Sequence, residues 1–262
     1  MNCDDVCRIL FETPAPSRLP EDVLKHLKEC PRCLDTARAL DPSRLEDAPT
    51  TAQLRQIEQT LLRELRPVRP LPPASYLFAV MAAIFAAAVI AGAWWLGTAG
   101  LAAMSTLQAA VVLSVFTVSA ITLAYSLVQR MAPGGMQTVP ARPLPIAIVA
   151  ALTVVITLLF SFHTQEDFWT RAWSCIRPGM TIATLSAAPL WLVLRRGANL
   201  SPAWTGAAAG LLAGLAGAAA LEIYCPNLNA WHILAAHIGT AALSAAAGFL
   251  IGVFVERQSA DR

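Results

Sequence analysis

Charged residues are scarce in this chain, and one long region lacks them completely. Asp, Glu, Lys and Arg make up only 14% of the 262 residues, whereas 56% are hydrophobic. Soluble globular chains carry charge on roughly a quarter of their residues. From Ser75 to Gln129 there is no Asp, Glu, Lys, Arg or His. This region therefore cannot be an ordinary water-soluble fold, and lipid is the solvent that suits it.

The first 74 residues lack an excess of positive charge. They hold 11 Lys and Arg residues against 12 Asp and Glu residues, a net charge of −1. Phosphate binding normally needs a basic face, so we expect no direct nucleic acid binding. No apolar run precedes Tyr76, and we therefore expect no signal peptide and a cytoplasmic N-terminus. A segment this small usually depends on a metal, a disulfide or a partner for stability.

Six later stretches are suited to membrane spans, each of which needs about 20 mostly apolar residues. They cover approximately residues 76–96, 104–128, 144–162, 179–194, 203–222 and 231–254. The last two are rich in small residues, which let helices pack closely in lipid. Transporters usually place acids or bases at the bilayer midplane, whereas Glu222 and His237 fall towards the outer ends of their spans. Transport is therefore disfavoured.

The placement of arginine predicts the orientation of the spans. Short cytoplasmic loops carry the excess of Lys and Arg. With six spans and an internal N-terminus, the residues on the inner side are Arg63, Arg66, Arg69, Arg130, Arg142, Arg195, Arg196 and Arg257. The outer side has only Arg171 and Arg177, which are balanced by Glu166 and Asp167. Both termini are therefore predicted to be cytoplasmic.

The stretch "HLKECPRC" has the spacing of a metal site. His26 and Cys30 stand four residues apart on one helical face, and Cys30 and Cys33 form a Cys-x-x-Cys turn. A closed zinc site needs a fourth ligand. We predict Zn²⁺ bound by Cys3, His26, Cys30 and Cys33, with Cys7 as the alternative fourth ligand. Unconnected thiols and a redox Cys-x-x-Cys are the alternatives, although no thioredoxin-like strand and helix surround the motif.

Two parts of the chain resemble known families. "MNCDDV" followed by "LPEDVLKHLKECPRC" resembles the zinc-binding anti-sigma domain, whose ligand pattern Cys3, His26, Cys30 and Cys33 match. "RAWSCIRPGM" and the segment from "LVLRRGANLSP" to "YCPNLNAWHILAAHIGTA" are similar to the NrsF family of membrane-embedded anti-sigma factors. A zinc domain at the front departs from the usual form of that family. Together the resemblances imply a sigma factor as partner and the bacterial inner membrane as location.

An amphipathic segment lies between these two parts. Leu54, Ile57, Leu61 and Leu65 recur at three and four residues, which predicts one apolar stripe on a helix that ends at Pro67. The stripe is a candidate for binding the partner, in the manner of a helix lying in a groove. The alternatives are docking on the zinc module and a helical spacer on the inner leaflet.

Cys175 and Cys225 are predicted to lie in outward loops, where an oxidising compartment favours disulfides. His163 and His232 lie on the same side, so that the four residues would make a Cys₂His₂ set for a soft metal ion. The alternative for the histidines is simple placement at the membrane interface beside three tryptophans. We predict that the two cysteines are the sensor of an outward signal.

The sequence therefore predicts an all-α protein of three parts. Residues 1–44 form a zinc-binding anti-sigma-like domain, residues 45–74 an amphipathic helical linker, and residues 75–256 a six-span bundle. The predicted function is non-enzymatic: sequestration of a sigma factor, and its release on an outward redox or metal stress signal. The alternatives are a membrane thiol oxidoreductase that uses Cys175 and Cys225, and a zinc-module scaffold for another protein.

Overall fold

The computed structural model describes residues 2–12, 19–40, 51–64, 71–131, 142–164, 166–197 and 201–260. Within these ranges the regular structure is helical, and no strand occurs. The all-α prediction is therefore confirmed. The chain divides into two compact units, Met1–Arg69 and Pro70–Arg262.

The described part of the first unit contains four helices. They are α1 (Cys3–Glu12), α2 (Glu21–Glu29), α3 (Pro31–Ala39) and α4 (Thr51–Glu64). Val6, Leu10, Val23, Leu27 and Cys33 form a small buried core shared by the first three helices. Pro31 occupies the first turn of α3, where its missing N–H costs no hydrogen bond. The extended backbone of Cys30 separates α2 from α3 and turns the chain between them.

Within the described ranges, the second unit contains six long, apolar α-helices and two short ones. They are α5 (Ala74–Leu96), α6 (Ala99–Ala103), α7 (Thr106–Met131), α8 (Pro143–Leu159), α9 (Phe168–Leu194), α10 (Pro202–Tyr224), α11 (Ala230–His232) and α12 (Gly239–Ala260). A π-helical segment, Ile233–Ile238, joins α11 to α12. Each of the six predicted spans overlaps one of the long helices.

The number of spans differs from the prediction. Among the described residues, four segments are long and apolar enough to cross a bilayer, namely Ala74–Leu96, Thr106–Met131, Pro202–Tyr224 and Ala230–Gln258. The apolar helix α8 has only 17 residues. Helix α9 is long, but it begins at Phe168, so it includes Arg171 and Arg177, which were predicted to lie outside a span. The chain thus has the helices of a membrane protein, and the count of six spans is not exact.

Helix α10 forms the buried centre of the second unit, because glycine lets its neighbours approach closely. A Cβ atom at Gly206 would overlap the carbonyl of Gly248, and one at Gly210 would overlap the carbonyl of Ser244. On another face, a Cβ at Gly217 would overlap the carbonyl of Gly179 in α9. These contacts confirm that the small residues of the last two predicted spans serve helix packing.

The chain after α10 is fixed to the segment that follows α8. The Asn229 side chain accepts a hydrogen bond from the Trp231 N–H at 3.0 Å and donates one to the His163 carbonyl at 2.6 Å. The Ala230 N–H donates to the Ser161 carbonyl at 3.0 Å. These bonds hold the start of α11 in place, and with it the residues of the π-helical segment.

Candidate metal centres

Four potential ligands meet in the first unit, and we call them the N-terminal cluster: Cys3, His26, Cys30 and Cys33. Their ligand atoms all lie within 4.8 Å of one another. Cys3 Sγ is 3.7 Å from His26 Nε2 and 3.8 Å from Cys30 Sγ. Two sulfur atoms bound to one tetrahedral Zn²⁺ are separated by about 3.8 Å, since each Zn–S bond is about 2.3 Å long. The spacing of the donors therefore fits a zinc ion.

Local structure places each member of the N-terminal cluster. The Cys30 N–H donates to the His26 carbonyl at 2.9 Å, which closes the last turn of α2 and puts both side chains on one side. Cys33 follows in the first turn of α3 and is fully buried. Cys3 is the first residue of α1, which packs on the same core through Val6.

As free thiols, these cysteines are crowded. Burial, together with the neighbouring thiols of Cys3 and Cys30, raises the pKa of Cys33 to about 12. In contrast, a hydrogen bond from the backbone of Cys33 lowers the pKa of Cys30. Several thiolates in so small a space repel one another, and a bound cation would relieve that repulsion.

Cys7, the alternative fourth ligand, is not one of the clustered residues. It is partly buried and packs against the core of the first unit. The structure thus brings Cys3 to His26, Cys30 and Cys33, and leaves Cys7 beside them.

The predicted apolar stripe lies on α4 and is largely exposed within the described structure. Leu54, Ile57 and Leu61 have 52%, 51% and 57% of their surface exposed. The adjacent Leu62 is also exposed. Leu65, the last member of the predicted stripe, lies outside the described residues.

A second set of ligands, here called the bundle cluster, consists of Cys175, Cys225, His232 and His237. All four are buried, and their ligand atoms lie within 4.8 Å of one another. Cys225 Sγ is 3.5 Å from Cys175 Sγ and 3.4 Å from His232 Nε2. The two cysteines that the sequence paired are therefore neighbours, although Cys175 lies inside α9 rather than in a loop.

The histidines of the bundle cluster differ from the predicted pair. His163 is exposed and lies outside the cluster, while its backbone carbonyl accepts the hydrogen bond from Asn229. His237 takes the fourth position instead. Its Nδ1 is 3.0 Å from Glu222 Oε1, and both side chains are buried. Glu222 and His237 thus form a buried pair, and Glu222 lies in the last turn of α10, towards the helix end as predicted.

The π-helical segment explains why sequence reasoning missed His237. In an α-helix, residues five apart point about 140° away from each other. A π-helix has i→i+5 hydrogen bonds, which bring residues five apart almost into line. His232 immediately precedes Ile233–Ile238, and His237 lies within this segment five residues later. The centroids of the two rings are 5.5 Å apart. A local pattern of polar residues gave no indication of the π turn.

Long apolar helices and two Cys–His clusters define the class of this protein: a helical membrane protein with candidate metal centres. The family model "Negative regulator of sigma F", NrsF, matches residues 61–257, and the chain belongs to that family. The match includes the bundle cluster and begins after the N-terminal cluster. No curated protein and no solved structure gives a significant match.

Proposed function

We propose that this protein is a membrane-bound anti-sigma factor. Membership of the family of negative regulators of sigma F is the observation that carries the proposal. The protein acts by binding: it holds a sigma factor at the bacterial inner membrane and keeps it from RNA polymerase. The arginine distribution supports cytoplasmic termini, which put the first unit on the same side as the sigma factor.

The N-terminal cluster holds one structural Zn²⁺ in this proposal. Three thiolates and one imidazole form a closed tetrahedral site. When bound, the ion supplies cross-links between α1, α2 and α3, whose apolar core consists of only five buried residues. Zinc thereby stabilises the module that presents the sigma-binding surface, and it takes part in no reaction.

The exposed stripe of α4 is the proposed contact with the sigma factor. Leu54, Ile57 and Leu61 recur on one helical face and expose about half of their surfaces, as the unpaired side of an amphipathic helix does. Leu65 is the next apolar residue of this sequence pattern. A sigma factor that offers an apolar groove would cover this surface.

Cys175 and Cys225 are the proposed sensor of the outward signal. Their sulfur atoms are 3.5 Å apart and buried, close enough to respond together. A peroxide would oxidise the two thiols to a disulfide and would itself be reduced to water or an alcohol. A thiophilic metal ion would instead bind both sulfurs and displace their protons. Either event stabilises one arrangement of the bundle relative to another. A signal can shift the equilibrium between two conformations only in this way.

A thiol oxidoreductase is the second candidate function, because the same two sulfur atoms are adjacent. Exchange with a substrate thiol needs an accessible sulfur, whereas only 5% of Cys175 and 4% of Cys225 are exposed. The regulatory role therefore accounts better for the site.

Copurification tests the proposed function. Full-length tagged protein is isolated from membranes of the native cell, and its partners are identified by mass spectrometry. We expect a sigma factor in near-equal amount, and its loss when the cells receive the activating stress. Isolation of the intact membrane protein without a sigma factor under both conditions would contradict the proposal.

A further inference from the structure

We infer that the bundle cluster is a second metal site, which takes one tetrahedral divalent ion of the zinc and cadmium class. Cys175, Cys225, His232 and His237 are its ligands, and Glu222 is a positioning residue for His237. The inference deepens the outward signal proposed above and rests on that proposal for its biological meaning.

The distances between donors match one tetrahedral ion. With Zn–S and Zn–N bonds of about 2.3 and 2.0 Å, a sulfur and a nitrogen ligand are about 3.5 Å apart and two sulfurs about 3.8 Å apart. The observed separations from Cys225 Sγ are 3.4 Å to His232 Nε2 and 3.5 Å to Cys175 Sγ. These two separations are within a few tenths of an ångström of the tetrahedral values, and all four donor atoms lie within 4.8 Å of one another.

One imidazole nitrogen of the cluster is free to bind an ion. His237 Nε2 is buried and has no hydrogen-bond partner among the residues that the structure describes. Its other ring nitrogen, Nδ1, is 3.0 Å from Glu222 Oε1. An Nδ1–H that donates to this carboxylate leaves the lone pair on Nε2, and carboxylates support metal-bound histidines in this way. In this arrangement Nδ1 bonds the Glu222 carboxylate, and Nε2 is left to bind a metal ion.

Charge and burial select the class of ion. Two thiolates neutralise a divalent ion. The charge that remains buried at the bound site is that of the Glu222 carboxylate, which is 3.0 Å from His237 Nδ1. Two sulfur and two imidazole donors in a tetrahedron are typical of zinc, whereas magnesium and calcium prefer oxygen donors. Binding releases the protons of both thiols.

The cluster lies beside a tight contact between α9 and α10. Gly179 is one turn beyond Cys175 in α9, and a Cβ there would overlap the side chain of Leu221 in α10. Thr240 is the second residue of α12, and its hydroxyl donates a hydrogen bond to the Ala236 carbonyl of the π-helical segment at 2.6 Å. Because His232 and His237 converge only through this segment, a bound ion stabilises the π turn and the helix contacts that depend on it.

A cobalt titration tests the site in the full-length protein. The chain has six cysteines, so a background in which Cys3, Cys7, Cys30 and Cys33 are all replaced by serine leaves only those of the bundle cluster. This protein, purified in detergent, is titrated with Co²⁺ and followed by visible absorption. We expect one equivalent to bind with tetrahedral ligand-field bands and thiolate charge transfer, and Zn²⁺ to displace it.

Three variants in that background separate a ligand from a structural residue. His237→Gln should weaken Co²⁺ binding at least tenfold, and Glu222→Gln by about 10-fold to 100-fold at unchanged stoichiometry. His163→Gln is the matched control, because that exposed histidine lies outside the cluster. The Co²⁺ affinity of this variant should equal that of the background protein. Circular dichroism and gel filtration establish that each variant is folded before its affinity is compared.

Two results would overturn the inference: no Co²⁺ or Zn²⁺ binding by the folded background protein, or equal affinity in His237→Gln and His163→Gln. Sigma binding is measured separately on the unmodified chain. A protein that binds Co²⁺ as expected but never copurifies a sigma factor would contradict the proposed function and leave the metal site standing.

Discussion

Single residues decide whether the N-terminal cluster is a metal site. Cys30 is the residue on which the site depends most, because it lies between α2 and α3 and is 3.8 Å from Cys3 through their sulfur atoms. Its amide N–H also closes the last turn of α2 on His26. Replacing its sulfur by oxygen keeps the size of the side chain and removes a zinc ligand.

Cys30→Ser is expected to lower the zinc content of the purified protein by about one ion per chain. Three remaining ligands form an incomplete site, and structural zinc sites are almost always four-coordinate. Elemental analysis against protein concentration measures the change. Cys7→Ser is the matched control, because Cys7 packs nearby without joining the cluster. Equal zinc content in Cys30→Ser and in the unchanged protein would show that the N-terminal cluster does not bind zinc.

At the scale of single elements, helix α4 presents an exposed apolar stripe. Its exposed stripe can be tested without disturbing the core, since Leu54 and Ile57 are each about half exposed. Gln59 lies on the opposite side of the same helix by its position in the sequence and is also exposed.

The double variant Leu54→Asp, Ile57→Asp is expected to weaken sigma binding at least tenfold. Two apolar contacts of about 1 kcal/mol or more each would be lost, and two charges would be buried against a groove. Affinity is measured with the purified sigma factor by titration, and zinc content should stay constant. Gln59→Asp should bind normally. Unchanged affinity in the double variant would mean that α4 is only a spacer.

The close contact between α10 and α12 should stabilise the bundle, and Gly210 allows this to be tested. Gly210→Ala should destabilise the bundle by about 1–3 kcal/mol, because the added methyl overlaps the Ser244 carbonyl and forces the helices apart. Thermal unfolding in detergent measures the loss. Gly239→Ala is the matched control, since a Cβ there would be 3.6 Å from the Leu234 carbonyl, an ordinary contact. An equal effect in both variants would contradict this role for Gly210.

At the scale of the whole molecule, two units must communicate if the proposed function is right. Cys175→Ser and Cys225→Ser should each abolish induction of the target genes by an oxidant or by Cd²⁺, because the pair acts as one unit. A reporter assay in both strains, with and without each stimulus, measures this effect. Protein levels are compared by immunoblot so that loss of response is not loss of protein. Full response in either variant would exclude the pair as the sensor.

Local sequence determined the helices and most of the N-terminal cluster. The apolar stretches predicted where the long helices lie, and His-x₃-Cys-x₂-Cys fixed three clustered residues, because both patterns act within a few residues of the chain. The four-residue step from His26 to Cys30 is set by one helical turn. The sequence could not separate Cys3 from Cys7, since that choice depends on how α1 packs against the other two helices.

The bundle cluster was decided by tertiary structure. Cys175 and Cys225 were paired from the sequence, but their 3.5 Å separation comes from the packing of α9 on α10. His237 replaced His163 because the π-helical segment rotated it towards His232, and Glu222 reached it from a different helix. The periodicity of apolar residues does not predict contacts between residues that are distant in the chain. It also does not predict a local departure from the α-helical period. The sequence therefore determined which helices form, and packing determined which side chains meet.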